Sequence, residues 1–211
     1  MKKNPIEHCK GVSTPLDKNA CLYRTRYSDS SCNSSTSDIS TNLSLSTADY
    51  QSPVGSLQWL MMATWLDLAY TASTLGQFNS HPTTESIEAA KRVLRYLRST
   101  SDFTLHFPSK RLYLQNHSSE PSPASQSARL ITDQPIGYTD SDWAGDKVDR
   151  KSTHGYVFTL FATAVFWKSQ KSSTVALSTT EAEYIGACKA SKEAIWITRL
   201  FNDVSPNQPE R

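Results

Sequence analysis

Apolar positions change their period along this chain, and each change marks a new kind of element. Between Val54 and Phe78, the residues Leu57, Leu60, Met61, Leu68 and Leu75 fall at helical spacings and predict one helix, ended by Gly76 and Pro82. A second helix is predicted from Thr84 to Ser99, where Ile87, Ala90, Leu94 and Leu97 recur at intervals of three and four. Glu85 and Glu88 sit near its positive end, Arg95 and Arg98 near its negative end, and both placements favour the helix. Phe103 to Phe107 alternates apolar with polar residues and predicts a short strand. Further on, residues 134–139, Thr153 to Phe161 and Thr163 to Lys168 predict three strands, the last two joined as a hairpin through Phe161 to Ala164. A tight hairpin wants positive φ angles that Ala and Thr resist, so this turn is expected to be longer than usual or strained. From about Ser178 to Phe201 the period turns helical again, with Ala182, Ile185, Cys188, Ala194, Ile197 and Leu200 as the expected packing positions.

Two stretches carry no period. Ser28 to Ser46 is dominated by Ser, Thr, Asn and Asp and is expected to be disordered, because it cannot bury enough apolar area to offset ordering entropy. His117 to Ala128 is rich in Ser and Pro and reads as a linker. The expected organisation is therefore a leader over residues 1–49, a helical region over 50–107, a linker over 108–129 and an α/β unit over 130–205.

Composition removes several function classes. A net charge of +2 is too balanced to indicate a nucleic-acid partner, so any basic surface must be local. The longest apolar run, Leu57 to Leu66, contains Gln58 and is too short to cross a bilayer. The Met-Lys-Lys start has no apolar core behind it, so no signal peptide is expected and the chain reads as intracellular, in cytoplasm or nucleus. Cys9, Cys21, Cys32 and Cys188 lack metal-ligand spacing and read as free thiols.

The candidate chemistry lies in two acidic segments. Gly137-Tyr-Thr-Asp-Ser-Asp-Trp-Ala-Gly-Asp146 delivers carboxylates at a strand end, and Ser178-Thr-Thr-Glu-Ala-Glu-Tyr-Ile-Gly186 opens a helix with two more. Folding that brings such groups together provides ligands for a divalent metal. Taken singly, each acid is an ordinary turn or helix-start residue. Lys91, Arg92, Arg95 and Arg98 form the densest basic cluster, with 91, 95 and 98 on one helix face; a phosphate contact and a solvated face are both open readings. Arg150, Lys151, Lys168 and Lys171 outline a second basic area, and His154 reads as a turn or strand residue.

Taken together, the two acidic segments, Arg150-Lys-Ser-Thr-His-Gly-Tyr-Val-Phe158 and Trp167 closely resemble the ribonuclease H domain that ends copia-type retrotransposon polyproteins. Gly11-Val-Ser-Thr-Pro-Leu-Asp-Lys-Asn19 resembles the end of that family's reverse transcriptase. Tyr50 to Leu97 resembles the helical connection that follows it, with Trp65-Leu66-Asp67 where the family has Arg-Pro-Asp. The resemblance implies an incomplete ribonuclease H-like α/β fold, three antiparallel strands backed by a helix, after a helical connection. It implies cleavage of RNA in an RNA–DNA hybrid with Mg²⁺ as cofactor, while the short apolar runs imply no membrane partner. Asp140 and Glu183 are then the catalytic metal ligands, with Asp142 and Glu181 as alternatives, Glu181 supporting or capping the helix. Lys91, Arg92, Arg95, Arg98, Arg150 and Lys151 would meet nucleic acid. The family needs two further acids; Glu193, Asp203 and Glu210 do not fit their positions, so Mg²⁺ binding is expected to be weak and ribonuclease activity absent. The alternatives are a noncatalytic nucleic-acid-binding remnant and an inert genomic relic.

Overall fold

In the computed structural model of the chain, Pro53 lies inside the first helix rather than before it. Helix α1 runs from Thr47 to Ala63, starting well ahead of the predicted Val54. A proline inside a helix removes one backbone hydrogen bond. Here contacts to distant residues offset that loss: Tyr50 is buried and donates its hydroxyl to the Leu75 carbonyl at 2.9 Å, and Gln51 Nε2 donates to the Asn79 carbonyl at 2.8 Å.

The single helix expected from Val54 to Phe78 is also broken. The amides of Thr64 and Trp65 both donate to the Leu60 carbonyl, which closes the end of α1. A 3-10 turn over Leu66–Leu68 leads into helix α2, Ala69–Gly76. This break brings Asp67 to the hydroxyl of Tyr96, which donates to its carboxylate, while the Trp65 and Tyr96 rings meet edge to face at 6.5 Å. Burial, with the Asp67 carboxylate second, pushes the Tyr96 phenol up to about 12. Helix α3, Thr84–Ser99, has the predicted bounds. Its start is fixed by a capping box in which Thr83 Oγ1 accepts from the Ser86 amide and Ser86 Oγ accepts from the Thr83 amide. Such a cap contributes about 1 kcal/mol. Val54, Leu57, Leu68, Leu75 and Val93 form the core of these helices.

The structure describes residues 9–17, 22, 47–107 and 135–204, so the Ser28–Ser46 leader and the His117–Ala128 linker lie outside the described residues. The chain divides into two units, one comprising residues 1–103 and 146–150, the other 104–145 and 151–211. The strand expected over Phe103–Phe107 is absent. A strand needs a pairing partner, and Thr163 meets this stretch through its side chain instead: its Oγ1 donates to the His106 carbonyl at 2.5 Å.

The second unit holds an open three-stranded antiparallel sheet of order β1-β2-β3, with β1 at Ile136–Asp142, β2 at Thr153–Leu160 and β3 at Thr163–Lys171. Helix α4, Thr179–Val204, packs on β1 and β2. Burial alternates along β2: His154, Tyr156 and Phe158 are buried, while the residues between them are half-buried. The β2–β3 hairpin is a two-residue turn, because Thr163 and Ala164 already belong to β3. Phe161 (φ 51°) and Ala162 (φ 63°) both occupy the left-handed region, so the turn is tight and strained.

Along α4, the buried line is Ala182, Gly186, Ala190 and Ile197. Cys188 and Leu200, expected to pack, face outward. Gly186 explains the choice of line, since a Cβ there would stand 2.4 Å from Ser141 Oγ. The small residues let the helix approach the sheet, which rotates Cys188 away.

Candidate functional site

The first acid sits on β1, and the strand's alternation decides what it can reach. Thr139 Oγ1 and Ser141 Oγ lie 3.5 and 2.4 Å from where a Cβ on Gly186 would be, so both side chains face α4. Successive strand residues point to opposite faces. Asp140 and Asp142 therefore share the face turned away from α4, and both are exposed. The Asp142 carboxylate folds back over its own loop, so close to Gly145 that any side chain there would collide with it.

Glu183 is exposed on α4, the helix that covers the other face. Glu181 is engaged at the helix start. Its amide donates to Ser178 Oγ at 3.1 Å, and its Oε2 accepts from the Leu177 amide at 2.7 Å. These reciprocal bonds satisfy two otherwise orphaned amides. The register thus brings Asp140 and Asp142 together on one face and does not bring Asp140 to the helix face of Glu183. Among the described residues, no group of three or more His, Cys, Asp or Glu is placed to hold a metal ion. A two-metal centre needs carboxylates converging on two ions about 3.5–4 Å apart, and this donor set does not fit one.

The basic residues divide in the same way. Arg92 donates to Thr14 Oγ1 at 2.9 Å and lies 3.7 Å from the Asp17 carboxylate. Arg98 donates to the Cys9 carbonyl at 3.1 Å, and Ser99 Oγ donates to the Val12 carbonyl at 2.8 Å. Two of the four cluster residues therefore hold the segment 9–17 along α3. Lys91 is exposed and Arg95 is half-buried. Arg150 is exposed, at φ 54°, after a turn in which Asp146 Oδ1 accepts from the Val148 amide at 2.8 Å; Lys151 is half-buried.

A different grouping escaped the sequence. His154 is 2% exposed near the start of β2, and its Nε2 is 2.7 Å from Lys189 Nζ on α4. Burial first, then the charges of Lys189 and Lys168, hold the imidazole below the usual histidine pKa. Lys189 is itself held below the usual lysine pKa by burial, then by Lys168 and Lys192. On the same face, Tyr156 is pushed up to about 12 by burial and the neighbouring Glu193 carboxylate. The signal for this grouping was three-dimensional: 35 residues separate His154 from Lys189.

An open antiparallel sheet with one face under a long helix, in a chain that also carries a unit of shorter helices, defines a mixed α/β protein. No protein-family model matches the chain. No solved structure matches it. Over its full length it is 35% identical to the retrovirus-related Pol polyprotein from transposon TNT 1-94 of Nicotiana tabacum, of which it covers 14%. Over 74% of its length it is 36% identical to the Pol polyprotein from transposon RE1 of Arabidopsis thaliana, of which it covers 9%. It is also 42% identical over 149 residues to a protein named secreted RxLR effector protein 161 of Plasmopara viticola, covering 71% of this chain and 91% of that one. The chain belongs to the family of retrovirus-related Pol polyproteins of transposons, and it spans about a tenth of the length of the polyproteins it matches. No helix among the described residues is long and apolar enough to cross a membrane.

Proposed function

We propose that the unit from β1 onward is the ribonuclease H-like portion of such a polyprotein, descended from an endonuclease that cuts RNA in RNA–DNA hybrids with Mg²⁺, and that this chain does not itself cut. The order of parts supports the reading: an acid-bearing first strand, two further antiparallel strands, then a helix opening with Ser-Thr-Thr-Glu-Ala-Glu. The helices before it correspond to the connection after the polymerase. In the ancestral site, Asp140 and Glu183 are the ligand positions.

The observation that carries the inactivity is the register of β1. Thr139 and Ser141 face Gly186, so Asp140 projects from the sheet face away from the helix that bears Glu183. Without converging carboxylates, neither the attacking water nor the leaving oxygen is held, and the rate loss is many orders of magnitude.

The test is cleavage of an end-labelled RNA–DNA hybrid by the purified chain with Mg²⁺ or Mn²⁺. No product above the no-protein control is expected, and the Asp140→Asn protein should give the same trace. Robust cleavage that disappears in Asp140→Asn would overturn the reading.

A further inference from the structure

We propose that Lys168, Lys189 and Lys192, set around the buried imidazole of His154, form a subsite for a phosphate-class oxyanion. The placement follows from register. Lys168 on β3 pairs directly with Tyr156 on β2, so both point to the face under α4. His154 pairs with Gln170 and is two residues from Tyr156, which makes it the diagonal neighbour of Lys168 on that face. From above, α4 lowers Lys189 onto the imidazole at 2.7 Å. Lys192 follows three residues later, one helical turn along the same side.

Three lysines from two elements border this face, and Lys168 and Lys192 both act electrostatically on Lys189. No ion pair with a carboxylate joins any of them among the described residues. Glu193, next to Lys192 on α4, borders Tyr156 instead. Asp140 and Asp142 belong to the opposite face, and Glu181 is spent on the helix cap. Burial first, then this crowding of charge, holds Lys189 and His154 toward their neutral forms. An oxyanion resting between Lys168 and Lys192 relieves the repulsion, and the neutral imidazole accepts from Lys189 and fixes its direction. Phosphate suits the site because it offers several acceptor oxygens and full negative charge. It could come from free phosphate or from the backbone of a polynucleotide.

The experiment follows the His154 imidazole by NMR in the full chain, its resonance assigned with His154→Asn. Its titration is compared in sodium chloride, in inorganic phosphate and in a short single-stranded DNA, all at matched ionic strength. Filling the site should raise the His154 pKa by about half a unit or more. The shift should vanish in Lys168→Gln/Lys192→Gln, whose substituted side chains are exposed, so that its circular dichroism spectrum should match that of the parent. A rise with phosphate and DNA alike supports the subsite with free phosphate sufficient. A rise with DNA alone supports it with the polynucleotide backbone as the source. No rise with either, or an equal rise in the double variant, overturns it.

Discussion

Gly186 and Ser141 are in such close contact that a Cβ on the glycine would stand 2.4 Å from the serine hydroxyl oxygen. That oxygen is buried and has no hydrogen-bond partner. Gly186→Ala gains about 1 kcal/mol of helix propensity but loses about 1–3 kcal/mol to overpacking, so a net loss is expected. Ser141→Ala removes an unsatisfied hydroxyl and should be close to neutral. Combined, the two changes should recover most of the stability, because the remaining neighbours of the new methyl, His154 Cβ at 3.4 Å and Thr139 Oγ1 at 3.5 Å, are at ordinary contact distance. Denaturant melts of the four proteins give the coupling, expected at about 1 kcal/mol or more. Additive losses would show that the helix does not press on the sheet at this point.

That contact also marks where sequence reading ends. Helix α3 was legible to its last residue because its cap, its charges and its apolar face are all local. The three strands were legible as segments, although β1 and β3 each run three residues beyond their expected ends. The break after Ala63 was not legible, since it depends on Trp65 and Asp67 meeting Tyr96 about thirty residues on. Nor was the fate of Phe103–Phe107, because alternation marks a strand but does not provide its partner. At the candidate site, Asp140 was legible as a strand acid. Its orientation was not: a strand has two faces, and only the docking of α4 through Gly186 determines which is covered. On α3, Thr14, Asp17 and Cys9 engage Arg92 and Arg98 from far away in sequence, which no local pattern reveals.

The β2–β3 turn is built from the wrong residues for its shape. Phe161 and Ala162 both have positive φ, where each non-glycine residue costs about 1 kcal/mol. Replacing the pair with Asn-Gly, the preferred sequence for such a turn, should raise stability by about 1 kcal/mol after the added flexibility of glycine in the unfolded chain. Because Phe161 is half-buried, Ala162→Gly alone should be made beside it, to separate turn strain from loss of the ring. Thermal midpoints of the three proteins decide the matter. A drop in the single Ala162→Gly variant would mean that the turn stores no strain.

The His154–Lys189 contact makes the sheet unit sensitive to acid. Burial, then Lys189 and Lys168, lower the folded-state pKa of His154, whereas in the unfolded chain it returns to the ordinary 6.5. Around and below that value the unfolded state binds more protons than the folded one, so stability rises with pH. The contribution is therefore fully present above 6.5 and is lost as pH falls through the folded pKa. The slope is bounded at about 1.4 kcal/mol per pH unit for one proton. Lys189 is shifted in the same direction, and its own window opens from the ordinary lysine value of 10.5 downward. His154→Gln keeps an acceptor for the lysine and removes the titration, so it should flatten the fall between neutral pH and pH 5. Hydrogen exchange at the β2 amides, measured across that range, follows the sheet unit by itself. An acid limb of the same steepness in His154→Gln would place the sensitivity elsewhere.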